Sequence, residues 1–96
     1  MYARLITANV LPDKFDDFPK AFSELVLPDA SQERGFKGLY MLKDAAHSRI
    51  LGVVLWETEA DAQASIAGFQ QRRLPKLASF LAGPPSAETM EVVLRA

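Results

Sequence analysis

The chain has 96 residues, 49% hydrophobic and 24% charged, with a net charge of −1. That is one globular domain, residues 1–96, too short for two cores, and its near-neutral charge argues against nucleic acid or an anionic membrane as partner. No apolar run approaches the ~18–20 residues of a membrane span, and no basic segment followed by an apolar stretch marks a secretory signal. The absence of cysteine excludes disulfides and thiolate metal sites and is compatible with the expected cytoplasmic location. A single histidine makes a histidine-rich metal site impossible in one chain, so no metal is expected.

The first element is "YARLITANVL", Tyr2 to Leu11, apolar on both parities and rich in residues that suit a pleated surface; it predicts a strand. Pro12-Asp13 ends it. Phe15, Phe18, Phe22 and Leu25 then recur at spacings of three, four and three, the stripe of an amphipathic helix. Pro19 is accommodated if Asp16 caps that helix, because the first four helical amides need no partner. The expectation is one distorted early turn, then regular helix to about Leu27, where Pro28 stops it. A turn through Gly35 leads to a second strand, Phe36 to Lys43, and the polar "DAAHS" connects it to a third, Arg49 to Trp56.

Thr58-Glu59-Ala60-Asp61 fits the [ST]-x-x-[DE] opening of a second helix, with early acids suited to the positive end of its dipole. That helix carries Ala62, Ile66 and Phe69 inward, and Gly68 costs it about 1 kcal/mol relative to Ala. Pro75 predicts a break near Arg73 and a short restart burying Leu77, Phe80 and Leu81. After "GPPS", Glu88 to Arg95 alternates as the last strand.

Strand, helix, strand, strand, helix, strand is the ferredoxin-like βαββαβ order: an α+β domain with a four-stranded antiparallel sheet and both helices on one face. Its third strand has Ile50, Val54 and Trp56 on one face, and Leu51, Val53 and Leu55 on the other. A sheet with one wet face should alternate apolar with polar. Two helices about 10 Å wide cover one face of roughly 400–500 Å², not two. The expected partner is therefore a second copy, in a homodimer whose two helix-free sheet faces meet as a dimeric α/β barrel.

Four segments carry a family resemblance: the strand leading to "PDKFDDFPKAF", then "RGFKGLYML", "VVLWETEADAQA" and "LAGPP". The chain resembles the antibiotic biosynthesis monooxygenase (ABM) family of the dimeric α/β-barrel superfamily over essentially its whole length. "RGFKGLYML" stands in place of the family's Pro-Gly-Phe-x-Gly segment, and "VVLWETEADAQA" in place of its Trp-Glu-Ser-x-Glu-x-Ala motif. The resemblance implies a cofactor-independent oxygenase acting on a small electron-rich aromatic of the phenol, hydroquinone or anthrone class. Trp56 matches the Trp that lines the pocket between sheet and helices in polyketide-oxidising members. Where those members place an Asn one strand turn earlier this chain has Gly52, and where they bring a polar aromatic from the following helix it has Ala62. Arg72, Arg73 and Lys76 are candidates for their basic group. Haem-degrading relatives need a His on the second helix; here the only one is His47, in the hairpin.

Each candidate has a plainer reading beside the functional one. Trp56 is a strand-end packing element or a site wall, depending on whether the space by Gly52 is empty. Tyr40 points its phenol into that space or into solvent. Asn9 orients a substrate carbonyl or satisfies a turn. Arg72 and Arg73 are solvated helix residues or bind an acidic or phenolate substrate. The expected binding set is Trp56, Tyr40, Asn9, Gly52 and Arg73, with no identifiable general base. The alternative function is a non-catalytic dimer that holds a small apolar ligand or serves a stress-related role.

Overall fold

Strand β1 (Tyr2–Asn9) occupies a central place in the sheet of a computed structural model that describes residues 1–96. β3 (Arg49–Trp56) pairs along one side of it, β4 (Ser86–Glu91) along the other, and β2 (Phe36–Asp44) lies outside β3. The order β2-β3-β1-β4, antiparallel throughout, is the expected ferredoxin-like arrangement. β4 starts at Ser86 and ends at Glu91, earlier at both ends than its alternation suggests. The reason is that β1 runs out: Tyr2 faces Glu91, and one further bond, Val92 N–H to Met1 O at 2.9 Å, ends the ladder.

The prolines shape the helical layer differently from the simplest expectation. A 3-10 turn at Pro12–Lys14 precedes α1 (Phe18–Leu25), where Asp17 rather than Asp16 precedes the first helical residue and Pro19 sits in the opening turn. Val26 leaves helical angles at φ −120° while its N–H still bonds Phe22 O at 2.9 Å. Pro28 consequently falls in the first turn of a new helix, α2 (Leu27–Ala30), instead of stopping the chain. Val26 takes the buried position at this joint and Leu25 is exposed, so the apolar stripe ends at Phe22.

α3 (Glu59–Gly68) opens as its pattern predicts, with Thr58 Oγ1 accepting from the Asp61 N–H at 3.1 Å. The expected break near Arg73 does not occur. A π-helical turn over Phe69–Arg73 closes with the Leu74 N–H on Phe69 O, and α4 (Leu74–Leu77) follows with Pro75 in its first turn. Widening one turn leaves the Pro75 position free of a required amide donor and changes which side chains face the sheet.

Residue parity divides the sheet. Ile6, Ala8, Ile50, Val54 and Trp56 face the helices, where Val10, Phe15, Phe18, Val26, Ile50 and Leu77 form the larger core cluster. The other face carries Leu5, Leu51, Val53 and Leu55 with Tyr40, Leu42 and Met90, and the last three are 60%, 49% and 48% exposed. No helix packs over this side, and no helix of the chain is long and apolar enough to cross a membrane.

Gly35 joins the helical layer to the sheet. Its carbonyl accepts from the Glu57 N–H at 2.8 Å, its φ is +82°, and a Cβ there would lie 2.7 Å from Asp61 Cβ. Both the left-handed angle and the closeness of the stem of Asp61 demand a residue without a side chain. Gly35→Ala is expected to destabilise the fold by about 1–3 kcal/mol. A urea midpoint equal to that of the wild type would contradict this.

Candidate functional site

Between the helices and the inner sheet face lies a cavity of ≈ 60 Å³. Its walls are mostly apolar: Trp56, Ile6, Val54, Leu39 and Met41 from the sheet, and Phe22, Phe69 and Leu74 among those of the helical side. Gly52 lies on its sheet wall opposite Ile6 in the ladder. A Cβ at Gly52 would meet only Ile6 O, at 3.9 Å, so the backbone does not demand glycine there. The missing side chain keeps space open. Ala62 behaves otherwise: it is fully buried against Val54 and Trp56, so its small size admits close helix–sheet packing and not a gap.

Trp56 is 1% exposed, lines the cavity, and meets Phe36 edge-on with ring centroids 5.8 Å apart. Its Nε1–H is buried with no hydrogen-bond partner. Leaving such a donor unpaired costs on the order of 1–3 kcal/mol. The ring packs as a core residue, lines the cavity and carries one unmet polar group.

Arg73 is 3% exposed, contrary to a solvated place on the helix, because the π turn swings it inward. Nη1 donates to Asp29 Oδ2 at 3.1 Å and Glu33 Oε1 at 2.8 Å, and Nη2 donates to Ser65 O at 3.0 Å. Arg72, half-exposed, bonds the same two carboxylates at 3.3 and 2.8 Å. The Arg73 hydrogen bond, aided by Arg72, holds the Asp29 carboxyl below its ordinary value despite some desolvation. Two carboxylates thus already answer the Arg73 charge.

A second guanidinium at this cavity has no such answer. Arg4, on the inner face of β1, is 9% exposed and lines the cavity. Its one hydrogen bond runs from Nη1 to Thr89 Oγ1 at 3.0 Å, and burial alone pushes its pKa down, with no carboxylate acting to raise it. Parity held the signal for this residue. Tyr2, Ile6, Ala8 and Val10 share its phase along β1, and Arg4 is the one charge in that inward series.

Trp56, Gly52 and Arg73 are therefore brought to one cavity, while Tyr40 and Asn9 are not. Tyr40 pairs with Val53 on the helix-free face, one residue out of phase with the inward Leu39 and Met41. Asn9 is exposed at the end of β1, where its carbonyl accepts from the Ala82 N–H at 2.8 Å. His47 is exposed in a 3-10 turn (Ala45–His47), its Nδ1 3.0 Å from Asp44 Oδ2, and Lys76 reaches Leu25 O at 3.4 Å.

The ion cluster opposes the effect ordinarily expected of a change at Gly68. Helix propensity alone favours Gly68→Ala by about 1 kcal/mol. A Cβ there would collide with Glu33 Oε1 and come within 2.7 Å of Arg72 Nη2 and 3.1 Å of Arg73 Nη1. These atoms end flexible side chains and can swing aside, and Arg73 keeps Asp29 and Ser65 O as partners, so the loosened Glu33 bond offsets the propensity gain. Gly68→Ala is expected to leave the urea midpoint near that of the wild type; a rise by the full propensity gain would show that the cluster yields freely.

Comparison with known proteins places this geometry in a family. The antibiotic biosynthesis monooxygenase profile matches residues 1–71. A search of curated proteins returned no match. Among solved structures, a Bordetella bronchiseptica protein described as an antibiotic biosynthesis monooxygenase is 23% identical with a TM-score of 0.80, covering 97% of each chain. A Nitrosomonas europaea protein of the same description is 21% identical with a TM-score of 0.75, covering 98% of this chain and 100% of its own. MhuD, the heme degrader of Mycobacterium tuberculosis solved with two hemes in its active site, is 22% identical with a TM-score of 0.74, covering 100% of this chain and 99% of its own. At these identities the structural likenesses speak for the fold alone. The family profile spans β1 through α3, including Trp56 and most of the inner sheet face, and on that match the chain belongs to the antibiotic biosynthesis monooxygenase family.

Proposed function

We propose that this protein is a cofactor-independent oxygenase of the ABM type, acting on a small electron-rich aromatic in the cavity beside Trp56. The observation that carries the reading is an apolar cavity walled by Trp56 and opened by Gly52, in a chain of this family. An anthrone-type substrate, once deprotonated, gives an electron to O₂ directly. Its CH₂ becomes C=O, one oxygen atom stays in the product and the other leaves as water, so no outside reductant is needed. The protein's share is a dry pocket and donors for the substrate's oxygen anion.

Two observations constrain this chemistry. No carboxylate or histidine lines the cavity; its titratable residues are Arg4 and Arg73. The substrate must then be acidic enough to enter as its anion. The volume of ≈ 60 Å³ is well below the ~150 Å³ that holds a benzene ring, so entry requires the walls to part. Met41, a flexible thioether, and half-buried Phe22 are the side chains best suited to move. Haem fits poorly, since the only histidine is His47 in the exposed hairpin.

The lack of a base favours a second reading, a non-catalytic binder of a small apolar ligand on the same fold. We also assign the helix-free face to a second copy of the chain. Roughly 500 Å² from each protomer gives about 1,000 Å², the lower bound of a specific interface, and Val93 and Leu94, each 86% exposed, are available to extend it. A cysteine-free chain of this kind suits the cytoplasm.

Turnover of a panel of hydroquinones and anthrones, with and without oxygen, separates the two functions. The oxygenase reading predicts oxygen-dependent consumption above the buffer rate, reduced at least tenfold in Trp56→Ala. Oxygen-independent, background-level loss, together with quenching of Trp56 fluorescence by an unchanged ligand, would establish the binder instead.

A further inference from the structure

We infer that Gly52 is the floor of an apolar slot for a short alkyl substituent, so that the cavity selects an alkylated aromatic over the bare or hydroxylated ring. The inference rests on the reading that this cavity takes a ligand, and it names one part of that ligand and the residue that measures it.

A glycine inside a strand weakens it, and it marks a bulge, a close approach of another backbone, or a place kept clear for a ligand. The first two are absent at Gly52. Both ladders run through it unbroken, with Ile6 opposite on β1 and Met41 opposite on β2, and the register shift in the sheet lies at Phe36 and Gly38. Gly35 and Gly38 have positive φ; Gly52 does not. A Cβ added there would meet only Ile6 O, at 3.9 Å, an ordinary contact. Space kept for a ligand is the remaining account of this residue.

Neighbours on the same face give the slot its chemistry. Ile6 and Met41 flank it on the adjoining strands, where facing Cα atoms lie about 4.5–5.5 Å apart. Ile50 and Val54 stand before and after it, about 7 Å away along β3, and all four line the cavity. None of these side chains donates a hydrogen bond. The guanidiniums of the cavity are engaged elsewhere, Arg73 on Asp29, Glu33 and Ser65 O, and Arg4 on Thr89 of β4. A hydroxyl seated over Gly52 gives up its water and gains no partner, whereas a methyl or methylene group gains burial. Volume sets the length of the chain. A cavity of ~150 Å³ holds the six carbons of benzene, so ≈ 60 Å³ holds about two. The slot is the part of the site already open, and the ring follows as the walls part.

Phenol, 4-ethylphenol and 4-hydroxybenzyl alcohol share one ring and differ only in the substituent, the last two being matched in size, and calorimetric titration of each tests the slot. Burial of two carbons predicts that the wild type binds 4-ethylphenol about tenfold more tightly than phenol, and the alcohol no more tightly than phenol. Gly52→Val fills the slot. It should weaken 4-ethylphenol at least fivefold, leave phenol within threefold, and raise the denaturant midpoint of the free protein, since it replaces a strand glycine and occupies empty space. Should Gly52→Val fail to fold, Gly52→Ala, whose Cβ fits, should raise the midpoint and cut the preference for 4-ethylphenol by at least half. Equal wild-type binding of phenol and 4-ethylphenol, equally tight binding of the alcohol, or a loss in Gly52→Val that falls alike on phenol and 4-ethylphenol overturns the slot while leaving the cavity as a ligand site. So does a lowered midpoint in Gly52→Ala, which would return the glycine to a backbone role. Failure of all three probes to bind the wild type at millimolar concentration overturns the slot and the ligand-site reading together.

Discussion

Helix supply limits this fold. One layer of short helices, interrupted at Val26 and widened at the π turn, covers one side of a four-stranded sheet whose two sides are both apolar. The covered side encloses Ile50, Val54 and Trp56; the uncovered side displays Tyr40, Leu42 and Met90 around Leu51 and Val53. From this imbalance come both roles argued for the molecule. The side under the helices holds a cavity, and the side without them is the face proposed to meet another sheet.

Within the covered side, the irregularities of the helical layer decide which charges turn inward. A regular α-helix through Phe69–Arg73 would hold the register set by α3, and the extra residue in the π turn shifts it, turning Arg73 toward Ser65, Asp29 and Glu33. Those acids come from α2 and the segment after it, so the cluster ties the two helical crossovers together at one edge of the cavity. Gly68 leaves the room the cluster occupies. Arg73 is thereby committed to structure. Arg4 reaches the same cavity from the sheet and bonds the Thr89 hydroxyl instead of a carboxylate.

Much of the fold is legible in the sequence because it follows from periodicity. The apolar run from Arg49 to Trp56, bounded by a polar connection and an acidic helix start, delivers β3 to the residue, and the Thr58 cap locates the start of α3 through one hydrogen bond. The prolines are harder, since their local rule names a position where a helix cannot simply continue but not how the chain resolves it. At Pro28 the helix restarts, and at Pro75 it widens into a π turn. Neither outcome is visible without the packing around it. The site follows the same pattern. Strand parity puts Trp56 and Gly52 on the inner face, where the cavity lies, whereas the phase of Tyr40 with Leu39 and Met41 excludes it from that face. Arg73 needs the π turn to be seen. Arg4 is readable as the lone charge in an inward series, hidden by the habit of assigning every arginine to solvent.

The helix-free face carries the greatest weight, because an apolar sheet surface left to water would contradict the reasoning that also places the cavity. Sedimentation equilibrium of the wild-type chain at micromolar concentration addresses it directly. A particle of about twice the 10.6 kDa chain mass is the predicted result. A particle of one chain's mass, unchanged as concentration rises, would contradict it.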